Sequence, residues 1–167
     1  MKTVDLDPVA SLQVASAASE ETRSLAAALA TTARPGDRLA LVGPLGAGKT
    51  QFAKGFAVGL GIEDVVNSPS FTLMAEYSGR LTLFHQDLFR LAGTDEALDG
   101  GLLDERQDEG VTLSEWADRL DDSLDPARLT VTIEPEGDDR RLIQLSGRGD
   151  IAARYLGAGR SWAAEHA

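Results

Sequence analysis

Apolar positions recur along the chain with two periods, two and about four, and the order of these stretches predicts an α/β fold. Residues 1–18 scatter Val4, Leu6, Leu12 and Val14 among polar neighbours and predict an edge strand. Ser19 before Glu20 and Glu21 predicts a helix start, with a capping hydroxyl and acids in the first turn. Leu25 and Leu29 continue it as an amphipathic helix to about Ala33, and Arg34, Pro35, Gly36 and Asp37 form a turn. Residues 38–42, RLALV, are a short apolar run of the kind that forms a buried parallel strand. Phe52, Phe56 and Leu60 then return at four-residue spacing beside Ala53 and Ala57, which gives one apolar helical face, and Gly61 is placed to stop it.

In the second half, Pro69 excludes a central strand, so residues 68–70 read as loop. Residues 71–77 are strand-like, Ser78 and Gly79 make a turn, and residues 80–88 alternate, which predicts a β-hairpin with Asp87 at its far end. Thr94 before Asp95 and Glu96 predicts a helix start, and residues 95–110 an acidic short helix and loop. Residues 111–114 are a brief strand ending on Glu115 and Trp116. Residues 128–134 and 141–146 each alternate around a turn at 135–139, a second hairpin. From Asp150 onward a modest helix carries Ile151, Tyr155 and Leu156 before a polar end that frays. No repeat, low-complexity block or linker interrupts the 167 residues, so a single domain, 1–167, is expected.

Composition narrows the classes of chemistry. Cysteine is absent, which excludes disulfides, thiolate metal sites and a cysteine nucleophile, and with only His85 and His166 a zinc site is set aside. No apolar run is long enough to span a membrane and no signal-peptide core stands at the N-terminus, so the cytoplasm is the expected location. The net charge of −11 suits a phosphate backbone poorly, because such affinity comes from clustered Lys and Arg. Any link to RNA is expected to pass through a partner; the same acidity also serves solubility.

Residues 43–50 read GPLGAGKT, a glycine, four residues and Gly-Lys-Thr, between the predicted strand and helix. In this pattern glycines turn backbone N–H groups around phosphate oxygens and the helix adds its positive end. Lys49 is expected to reach the β- and γ-phosphates and Thr50 to ligate magnesium. Such a site needs an acid at the end of a neighbouring strand, and Asp87 and Glu115 both follow apolar strands. A strand-end cap or surface charge is the competing reading of each. His85, two residues before Asp87 on one face, reads as a hydrogen-bonded structural histidine sooner than a catalytic one, and Trp116 as packing.

GPLGAGKT with the GxxxGLGI that follows, then SPSFTL, HQDLFRL and SEWAD in that order, resemble the TsaE family, small bacterial ATPases of tRNA threonylcarbamoyladenosine modification. The resemblance runs from about Ser19 to Trp116. It implies that Lys49 and the loop N–H groups bind the phosphates of ATP, over Gly46, Ala47, Gly48, Lys49, Thr50 and Gln51, with Ser19 and Thr22 near the adenine. It implies Thr50 and Glu115 as Mg2+ ligands and Asp87 as a Walker-B-like aspartate acting on the metal shell or the attacking water. Ser70 matches a threonine of a switch-like segment. Pro44 stands where the family has aspartate, and Ala117 where it has proline. Arg140 or Arg141 corresponds to a basic residue near the nucleotide, with nothing to choose between them. The family also implies TsaB and TsaD as partners, tRNA being reached only through them, with ATP hydrolysis resetting that complex between turnovers.

The fold that elements and resemblance together predict is an α/β three-layer P-loop NTPase with a central mixed, largely parallel sheet and a β-hairpin. Two other functions share that fold. A small-molecule kinase needs an arginine-rich lid, whereas residues 95–110 hold one arginine among many acids. A non-hydrolysing, nucleotide-dependent binding module uses the same loop and acids. A GTPase is excluded by the absence of Asp-x-x-Gly and Asn-Lys-x-Asp.

Overall fold

A computed structural model describes residues 8–44, 46–66, 74–87, 105–115 and 128–166. In chain order it contains β1 (Ala10–Ser16), α1 (Ser19–Ala30), β2 (Arg38–Val42), α2 (Lys49–Gly59), β3 (Met74–Tyr77) and β4 (Leu83–Asp87). A 3-10 helix (Glu105–Glu109), β5 (Val111–Glu115), β6 (Leu129–Pro135), β7 (Arg141–Gly147) and α3 (Gly149–Glu165) complete it. The expected loop at 68–70, the helix start at Thr94, Ser70, Trp116 and Ala117 lie outside the described residues.

The strands form one sheet in the order β1-β7-β6-β2-β5-β4-β3. Its centre, β6-β2-β5-β4, is parallel, and both edges turn antiparallel, through β3 on one side and β7 and β1 on the other. β1 is an edge strand, and β3–β4 and β6–β7 are the two hairpins expected from alternation. Strand sequence follows position. β5 is buried at every residue, as a central parallel strand must be, whereas β6 buries Leu129, Val131 and Ile133 and turns Thr130 and Thr132 the other way.

Leu39, Leu41, Leu113, Val131, Ile143 and Leu145 share one sheet face and pack with Leu25, Leu29, Phe52 and Phe56 of the helices into a single core. On the opposite face the 3-10 helix closes over the sheet. There Gln107, nearly fully buried, accepts from Arg38 Nη1 at 2.9 Å, and Arg106 lies over the Phe84 ring.

α1 and α2 pack unusually close because α2 has glycine where they touch. A Cβ on Gly55 would stand 2.2 Å from the Arg23 carbonyl oxygen, and one on Gly59 2.4 Å from that of Ala27. The approach also lets Arg23 Nη1 donate to Gln51 Oε1 at 2.6 Å. α2 ends as expected, with Gly61 at φ 76° just beyond its cap.

The cap of α1 and the end of α3 depart from expectation. Ser19 does not cap α1: Ala18 is the N-cap, with no side-chain hydrogen bond, and the Glu21 carboxylate accepts from Ala17 N–H at 2.6 Å instead. α3 is the longest described helix and stays folded through Glu165, because Trp162, 5% exposed, packs into the core and donates to Ser24 Oγ at 3.0 Å. It is fixed to the start of β2 by a buried cluster. Asp37 accepts from Arg154 Nη1 and Nη2 and from Tyr155 OH, each at 2.8 Å, and from Arg34 N–H at 2.9 Å. Burial, then the neighbouring Asp37 charge, drives the Tyr155 hydroxyl well above the usual phenol range. The Asp37 hydrogen bond likewise keeps the Arg154 guanidinium protonated beyond its ordinary range.

Candidate functional site

β2 delivers the chain into the turn at 43–48 and α2 takes it away, so the strand-loop-helix context that the motif requires is present. The loop conformation needs its glycines. Gly46 and Gly48 have φ of 80° and 109°, and a Cβ on Gly43 would stand 2.4 Å from the Ile133 carbonyl oxygen. Pro44, exposed at the outer edge, closes the turn by accepting Ala47 N–H at 3.1 Å, a bond that asks nothing of its missing N–H. Lys49 is 5% exposed and its Nζ donates to the Gly43 carbonyl at 2.6 Å, so the ammonium lies folded along its own loop. Thr50 is half-buried in the first turn of α2.

The two strand-end acids are brought together. β4 and β5 run parallel with Asp87 opposite Glu115, and β5 and β2 with Glu115 opposite Leu41, two residues before Gly43. Asp87 is half-buried and Glu115 is 3% exposed. Glu115 Oε2 is 2.7 Å from Nε2 of His85, which is fully buried. His85 is thus hydrogen-bonded, as the structural reading expected, but its partner is one of the site acids.

On the other side of the loop, Ser19, Thr22, Gly48 and Gln51 line a cleft with Asp138, Asp139 and Arg141. The cleft is shallow and open to solvent, with a cavity volume of ≈ 40 Å3. Ser19 is exposed there, while the Thr22 hydroxyl is engaged with Ser16 Oγ at 2.8 Å. Between the two basic candidates, the geometry selects Arg141. Its Nε donates to the Ala47 carbonyl at 2.8 Å and its Nη2 to that of Gly46 at 3.4 Å, while Nη1 holds the carbonyls of Asp138 and Arg140 at 3.2 and 2.8 Å. One guanidinium therefore ties the β6–β7 turn to the loop. Asp138 and Asp139 were missed as site residues; turn acids read as solvated charges until the sheet folds them over Gly48.

The donors gathered here are a lysine ammonium, a helix N-terminus and the oxygens of Thr50, Asp87 and Glu115. Groups of these types are chemically suited to a polyanion and a hard divalent cation. Among the described residues no group of three His, Cys, Asp or Glu could hold a metal by itself.

Comparison with known proteins bears on the family and the fold. The family model for "Threonylcarbamoyl adenosine biosynthesis protein TsaE" matches residues 16–143. A tRNA threonylcarbamoyladenosine biosynthesis protein TsaE of Bacillus subtilis (strain 168) is 47% identical over 132 residues, 78% of this chain and 82% of that protein. Its namesake from Treponema pallidum (strain Nichols) is 40% identical over 111 residues, 66% and 82% of the two chains. The crystal structure of Bacillus subtilis YdiB matches with a TM-score of 0.70 at 38% identity, over 96% of this chain and 99% of that one. Sequence and fold thus agree over most of the chain, which belongs to the TsaE family.

Proposed function

We propose that this protein serves tRNA N6-threonylcarbamoyladenosine modification as a Mg2+-dependent ATPase acting on a TsaB–TsaD complex. The family assignment supports the pathway. The observation that carries the chemistry is the register placing Asp87 of β4 beside Glu115 of β5, the parallel neighbour of the strand that feeds the phosphate loop.

ATP phosphates fit the loop at 46–51 and the Lys49 ammonium, and the adenosine end fits the cleft of Ser19, Thr22 and Gln51. The donor set also fits Mg2+, which is bound through one or two carboxylates plus substrate phosphates sooner than by an all-protein cage. Thr50, Glu115 and Asp87 would hold it, and the ion would supply charge neutralisation at the γ-phosphate. Lys49 orients the phosphates, and Arg141 keeps the loop against the β6–β7 turn. Positioning and charge supply most of the catalysis in phosphoryl transfer, so a site left incomplete on its own is slow until a partner completes it. An acidic protein is well suited to meeting tRNA only through TsaB and TsaD.

ATP turnover measured with and without purified TsaB and TsaD tests the proposal. We expect weak turnover alone and a clear rise with the partners. Equal turnover at saturating partner would sink the partner-dependent reading, and ATP binding without hydrolysis under both conditions would favour a nucleotide-dependent binding module.

A further inference from the structure

His85 stands on β4 two residues before Asp87, on the helix-facing side, and its imidazole is fully buried. Its Nε2 lies 2.7 Å from Glu115 Oε2, while Nδ1 is buried with no hydrogen-bond partner among the described residues. That imbalance is informative. A leucine of similar size would fill the same space without leaving a buried nitrogen unpaired, so packing does not account for an imidazole here. What the ring adds is one N–H aimed at Glu115. A carboxylate oxygen accepts, so the ring donates to it through Nε2. The bond takes one lone pair of Oε2 and does not engage Oε1.

We infer that His85 is a positioning residue for Glu115, holding the carboxylate in the orientation that binds Mg2+ with the nucleotide. The inference rests on the reading of Glu115 as a metal ligand. Partners of metal-binding groups act in this way, and their loss lowers metal affinity about 10- to 100-fold.

The test is equilibrium binding of a non-hydrolysable ATP analogue, with Mg2+ and in EDTA, to wild type, H85L, H85Q, E115Q and H85L/E115Q. The readout is the ratio of the two affinities, which a general loss of packing does not move. H85L should lower the ratio about tenfold with the EDTA affinity unchanged. H85Q, which carries an N–H to the position of Nε2, should restore most of it. In the E115Q background H85L should add nothing, because the group that it positions is gone. An H85L ratio equal to wild type, or the same H85L effect with and without Glu115, overturns the inference. The parent reading fails separately: if E115Q itself keeps the wild-type ratio, Glu115 is not a metal ligand. Should H85L not fold, H85Q against H85N gives the same contrast, since the shorter amide does not reach Glu115, and equal ratios for those two overturn it as well.

Discussion

A single lysine shows how much a folded loop prepares before any ligand arrives. Lys49 is nearly buried, and its ammonium donates to the Gly43 carbonyl of the loop itself. Charged hydrogen bonds of this kind are worth about 1.5–3 kcal/mol, so Lys49→Ala should weaken ATP–Mg2+ binding by about 10- to 100-fold. Titration calorimetry reads this directly, and unchanged affinity would remove Lys49 from the site. At this scale the sequence was legible where chemistry is local. The loop motif and the acids at two strand ends could be read because each depends on residues a few positions apart. Arg141 could not be separated from Arg140, since only the folded sheet shows which guanidinium reaches Ala47. The His85–Glu115 bond was invisible for the same reason: it depends on the register between strands, 30 positions apart. Thr22 lines the cleft beside the loop, but its hydroxyl is already taken by Ser16.

Elements were read well where a period repeats and poorly at their ends. Both hairpins follow from alternation, and α2 from the spacing of its two phenylalanines and Leu60. The start of α1 at Ser19 followed, but its cap did not, because the Glu21 carboxylate takes the Ala17 N–H and Ala18 is the N-cap. The end of α3 was underestimated because Trp162 was not counted with Ile151 and Tyr155, although the three share a helical stripe. Glycine in α2 reads as a weak helix former until α1 is seen against it. Gly55→Ala sets a methyl against the Arg23 backbone, and overpacking of this kind costs about 1–3 kcal/mol. For a chain of this length each kcal/mol is worth about 2–4 °C, so thermal unfolding of the variant should begin several degrees lower. A melting temperature equal to wild type would show that the helices separate without cost. Because α1 also carries Ser19 and Thr22 to the cleft, ATP affinity should fall with it.

At the scale of the whole molecule, the Asp37, Arg154 and Tyr155 cluster joins the last helix to the strand that feeds the loop. Its pH dependence has a definite sign. Tyr155 is held above its ordinary value, so the native state favours the neutral phenol, and that stabilisation is complete below pH ~10, where the unfolded chain is also neutral. Above that pH the unfolded chain ionises first and stability falls. Tyr155→Phe should cost about 1.5–3 kcal/mol at pH 7, as loss of a hydrogen bond to a charged group does, and should flatten the alkaline decline. Urea unfolding at pH 7 and above pH 10 measures both, and equal alkaline slopes for the two proteins would remove Tyr155 as the cause.

The contact of Gly43 with the Ile133 carbonyl has a further consequence, in the order of synthesis. The loop and its helix leave the ribosome early, but both neighbours of β2, β5 and β6, are made later. Domains fold as units once their pairing partners exist, so the emerging phosphate loop lacks its walls until residue 133 has cleared the exit tunnel. A nascent chain stalled before that point carries the complete motif without the strands that flank it. The motif is written in eight residues; its competence is a property of the sheet.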